Sequence, residues 1–113
     1  MKNTYLYFAE NLDANAAGDA CMYPVANFTG IDPISATTSR ISFKALTGNA
    51  ADDDILVTHA SGKYKALCEG LAEILNTDDV GLVTVFDEDN SLTHRILLDL
   101  EVGITEINIT LDT

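Results

Sequence analysis

Basic side chains are scarce in this sequence. Its 113 residues hold six Lys and Arg against eighteen Asp and Glu, a formal net charge of -12. Nucleic acid is a poor partner for such a chain, because phosphate binding rests on clustered Lys and Arg that displace counterions. An anionic membrane surface is disfavoured on the same ground. Long apolar runs are missing as well. No stretch approaches the ~18 uninterrupted residues of a membrane helix, and no apolar run of signal length follows Met1-Lys2-Asn3-Thr4-Tyr5. The expected location is therefore the cytoplasm, where the sequons at Asn27 and Asn108 carry no meaning. Cysteine is limited to Cys21 and Cys68, isolated and without paired spacing. His59 and His94 are the two histidines. A pairing of His94 with Asp87 or Asp99 lacks any nucleophile or oxyanion donor beside it, so no catalytic residue and no cofactor are assigned.

What is present is a globular composition, 47% hydrophobic and 21% charged, which argues against disorder. A chain of this length supports one core, so residues 1–113 read as a single domain. Ile55 to Asn76 organises the reading: a strand at Ile55–His59, a link at Ala60-Ser61-Gly62, then an amphipathic helix over 63–76. Tyr64, Leu67, Cys68, Leu71, Ile74 and Leu75 fall on one helical face, and Lys65, Glu69, Glu73 and Asn76 on the other. Cys68 on that apolar face reads as a small core hydrophobe.

Strands are expected at Asn3–Ala9, Ala20–Val25, Thr38–Leu46, Gly81–Phe86, Leu92–Val102 and Ile104–Leu111. Pro24 confines its strand to an edge or ends it. Asn27–Ser35, with Gly30 and Asp32-Pro33, reads as an irregular turn region. Ile55 through the helix to Phe86 is a candidate strand-helix-strand crossover. The expected fold class is α+β: a mostly antiparallel, curled sheet of about six or seven strands with the single amphipathic helix packed on it.

One helix is roughly 10 Å across and covers about two strands. Yet Tyr5–Phe8 is apolar on both faces, and Leu82, Val83, Val85 and Phe86 place bulk on both. The remaining surface calls for sheet curling and for a second copy of the chain.

Two weaker sites are legible. Ser61, Gly62, Lys63 and Lys65 surround a helix start, whose free N–H groups and dipole suit an anion or nucleotide. The phosphate-loop pattern is incomplete there, because Tyr64 stands where Ser or Thr follows the lysine. The plainer reading has Ser61 capping the helix while the lysines offset Asp52, Asp53 and Asp54. Asp87, Asp89 and Ser91 offer hard oxygen ligands at alternating positions, as a calcium loop opens. Leu92 stands at the glycine position of that loop and Leu98 at its bidentate Glu, so a polar hairpin tip explains the same residues.

The block Asp52-Asp53-Asp54-Ile55-Leu56-Val57-Thr58-His59-Ala60-Ser61-Gly62-Lys63-Tyr64, its helix and the following Gly-Leu-Val-Thr-Val-Phe-Asp strand resemble small acidic proteins of marine tailed phages. The likeness spans about Ala36 to Asp89 and carries no motif of assigned chemistry. It implies an assembly role, as an accessory or virion-decorating component, with the virion as an alternative location. The expected function is that of a non-enzymatic structural or interaction protein that forms homo-oligomers, within a larger protein assembly if phage-encoded. The alternative is a small anion- or nucleotide-binding domain, or an enzyme, built on Gly62 and Lys63.

Overall fold

A computed structural model describes residues 4–10, 20–45, 51–76, 81–88 and 92–110. Within them the chain is α+β, with eight strands in two four-stranded sheets rather than one curled sheet. The strands are β1 (Thr4–Ala9), β2 (Ala20–Pro24), β3 (Phe28–Pro33), β4 (Thr38–Phe43), β5 (Asp53–Thr58), β6 (Gly81–Asp87), β7 (Leu92–Thr93) and β8 (Glu106–Thr110). The helices are α1 (Tyr64–Leu75) and the short α2 (Arg95–Asp99), with a single 3₁₀ turn at Val25–Asn27. The first sheet runs β2-β1-β6-β7 and the second β3-β4-β5-β8.

The second sheet is antiparallel throughout and follows the period of two. Ser39, Ile41 and Phe43 on β4, Asp53, Ile55 and Val57 on β5, and Ile107 and Ile109 on β8 are buried, with less buried residues between them. That inner face meets the inner face of the first sheet at Phe43. The Tyr23 ring stacks on Phe43 at 4.4 Å and 6°, and Phe8 meets it edge-on at 5.7 Å. Leu67, Leu71 and Ile74 of α1 join the same core. Lys63 and Asn76 are the caps of α1, within one residue of the expected helix.

Four expectations change. The strands on either side of α1 lie in different sheets, β5 between β4 and β8, and β6 parallel to β1. The helix therefore carries the chain from one sheet to the other instead of closing a crossover within one. Residues 27–35 contain a strand, β3; its Gly30 and Pro33 are tolerated because β3 is an edge with a bulge between Phe28 and Gly30. Residues 92–102 hold only two strand residues before α2, since the His94 ring accepts the Ile96 N–H and caps a helix. Ser61 does not cap α1, for the N-cap is Lys63 and no side chain bonds there.

Gly70 explains how the two helices meet. A Cβ at that position would lie 2.6 Å from Leu97 Cδ2 and 3.2 Å from Leu100 Cδ1, so a side chain there would force both leucines to shift, and glycine lets α2 sit this close to α1 without that. Pro24 ends β2, an edge strand, as its missing N–H requires.

Candidate functional site

The residues expected to bind an anion do share one turn. Gly62 takes the positive φ of 75° that glycine adopts freely, and Lys63 follows at the helix cap. Ser61 and Lys65 are exposed and Lys63 is half-buried. Two of the local N–H groups are already used: Gly62 donates to the Ala36 carbonyl at 2.7 Å and Lys63 to that of Ala60 at 3.1 Å. The turn is thus held by the chain itself.

Of the calcium-like triplet, Asp87 is buried at the end of β6, opposite Ala9 and Leu92, which is a poor place for a solvent-facing ligand. Asp89 and Ser91 lie outside the described residues. Among the described residues no group of three or more His, Cys, Asp or Glu is placed to hold a metal ion. Among them, too, no helix is long and apolar enough to cross a membrane.

The arrangement nearest to catalytic geometry involves Ser39, a residue the sequence reading did not single out. Ser39 Oγ lies 2.9 Å from His59 Nε2, and His59 Nδ1 lies 2.8 Å from the Ala60 carbonyl. That carbonyl can only accept, so Nδ1 carries a proton; in the neutral ring Nε2 then accepts from the serine hydroxyl. A hydroxyl, a base and a group orienting the base are all present. Ser39, however, is 0% exposed and His59 only 3%, so no substrate reaches them. The pair instead fastens a corner where His59 N–H donates to Thr37, Ala60 N–H to Val102 and Thr105 N–H to Thr58. His94 is committed to capping α2.

The thiols are equally quiet. Burial pushes Cys21 up from 9.0 to about 12, with Asp53 and Glu10 adding to the rise against an opposing hydrogen bond with Tyr23. Burial also raises Cys68, helped by Glu69. A raised thiol is a poor nucleophile.

The more informative features are surfaces. On the outer face of the first sheet, Tyr5 stands beside Leu82 and Pro24, and Tyr7 beside Met22 and Thr84. These six residues form two rows without a charged side chain. Tyr5 is 38% exposed, Met22 47% and Leu82 57%, high values for apolar groups placed side by side. The outer face of the second sheet is polar in contrast. Asp32 pairs there with Arg40, and Ser42 donates to Asp54 at 2.9 Å.

A second surface lies between β3 and α1. Phe28, Gly30 and Ile31 from the strand, with Cys68, Leu71, Ala72 and Leu75 from the helix, line an apolar groove of about 260 Å³. Edge strand β8, on the far side of the same sheet, is closed from within. The Glu10 carboxylate accepts the Ile109 N–H at 2.9 Å, and that of Glu88 accepts the Ile107 N–H at 3.3 Å.

Compared with known proteins, the chain matches no family model, no curated protein and no solved structure.

Proposed function

We propose that this chain is a non-enzymatic structural or interaction protein that associates with further copies of itself through the outer face of its first sheet. The observation that carries the reading is the pair of uncharged rows, Tyr5-Leu82-Pro24 and Tyr7-Met22-Thr84, in which Tyr5, Met22 and Leu82 are 38–57% exposed. Tyrosine and methionine are side chains that interfaces favour, and the centre of an interface is depleted of charge. A molecule with a net charge of -12 repels its copies everywhere that its acids face each other. Contact is least opposed where neither sign is present, which is where the apolar rows stand. Salt should strengthen the association by screening the remaining repulsion. The same proposal takes in the setting implied by the resemblance to tailed-phage proteins: an accessory or virion-decorating component used in many copies.

The test is substitution at exposed positions that leave the core untouched. Met22→Glu and Leu82→Glu together should weaken association at least about tenfold, roughly 1.4 kcal/mol, while the dissociated chain keeps the folded circular-dichroism spectrum. Unchanged association in the double variant would move the interface elsewhere.

A further inference from the structure

The groove between β3 and α1 does not end at the strand. Gly30 and Ile31 line it, and the same two residues line a shallow depression of about 310 Å³ with Thr29, Asp32, Ser42 and Asp52. One depression is apolar and the other acidic, and β3 runs between them. β3 also terminates its sheet, so among the described residues no strand pairs with its outer side. At Gly30 no atom lies within 4 Å of where a side chain would begin, which leaves the boundary between the two depressions open.

We propose that the edge of β3 beside α1 docks an extended segment of a partner protein that alternates apolar and basic side chains. The chemistry follows from the period of a strand. A segment added to the edge continues the sheet, so alternate side chains point to opposite faces. Those on the inner side enter the groove against Phe28, Ile31, Cys68 and Leu75. Those on the outer side lie over the acidic depression, where Asp52 accepts from Thr29 at 3.0 Å and Asp32 is exposed. Lys or Arg suits that side and Asp or Glu does not, because the depression is lined by two carboxylates, those of Asp32 and Asp52, and by no cation. Charge also decides against a second copy as occupant, since its net charge of -12 meets the same acids. Pro33 withholds one donor and the bulge interrupts the other end, so the paired stretch is short. Affinity then rests mainly on the side chains in the groove.

The probe is a capped synthetic hexapeptide alternating valine and lysine, compared with a valine-glutamate version and one N-methylated at alternate residues. Added to the full chain, the valine-lysine peptide is expected to perturb amide resonances of β3 and α1 and to slow alkylation of Cys68. The glutamate and N-methylated peptides should bind at least about tenfold more weakly. Ala72→Arg, at an exposed helical position that arginine suits, should cost a similar factor by filling the groove. Asp32→Lys, on the exposed rim, should weaken the lysine peptide and strengthen the glutamate one, so the charge argument stands or falls even if the first variant disturbs α1. No perturbation at about 1 mM peptide, equal binding of both charge types, or changes confined to the first sheet would overturn the proposal. So would a dimer of the unmodified chain that dissociates in Ala72→Arg, because the occupant would then be a second copy.

Discussion

The Tyr23 hydroxyl donates to Asp53 Oδ2 at 2.6 Å, joining β2 of the first sheet to β5 of the second through a bond buried at both ends. The ring that carries this hydroxyl stacks on Phe43, so one side chain supplies both the apolar and the polar joint between the sheets. Tyr23→Phe keeps the ring and removes the donor. A hydrogen bond to a charged group contributes about 1.5–3 kcal/mol, and the loss should emerge in urea unfolding as a lower midpoint with an unchanged slope. A difference below about 0.5 kcal/mol would mean that the bond contributes little to joining the sheets.

The same corner makes the protein sensitive to alkali. Burial raises the Cys21 thiol from 9.0 to about 12, and burial together with the bond to Asp53 raises the Tyr23 hydroxyl. Below pH 9 Cys21 is protonated in both folded and unfolded chains, and its contribution is constant. Between pH 9 and about 12 the unfolded chain gives up this proton first, so stability falls as pH rises, by on the order of 4 kcal/mol across the window. Cys21→Ala should flatten part of that fall between pH 9 and 11, leaving the part due to Tyr23. At pH 8, a thiol reagent should modify Cys68 slowly and Cys21 only after unfolding.

Glu10 and Glu88 predict a third behaviour. Their carboxylates occupy two donors on the edge of β8. Replacing both by Ala should cost about 1–2 kcal/mol each and leave an edge able to pair with other chains. Light scattering should then detect concentration-dependent aggregation absent from the parent. The amide variant Glu88→Gln keeps an acceptor oxygen and should stay close to the parent.

Periodic elements were legible in the sequence. The helical face of Leu67, Leu71 and Ile74 and the alternation of β4 and β8 each express burial on one side, which is a local property. β3 was hidden because glycine and proline weaken a strand pattern, and only its edge position excuses them. α2 was hidden because the apolar run Ile96-Leu97-Leu98 fits a strand as well as a helix, and the His94 cap that decides between them is weak as a sequence signal. Division into two sheets depends on the parallel pairing of β1 with β6, whose partners such as Thr4 and Gly81 lie far apart in sequence, which no local pattern encodes.

Sites divided in the same way. Ser61, Gly62, Lys63 and Lys65 were found together because they are neighbours in the chain. The Ser39–His59 pair and the β3–α1 groove bring together residues about twenty and forty apart, and no spacing announces them. An apolar outer face was legible through Tyr5 and Leu82; that Met22 completes it depended on strand register.

Self-association through that face is the central claim, and native mass in solution tests it most directly. Size exclusion with light scattering, run at low and high salt over a wide range of concentrations, should give a defined oligomer that is favoured by salt. A strict monomer at high concentration in both salts would contradict the account, because the rows at Tyr5, Met22 and Leu82 would then be stable in water without a copy to cover them.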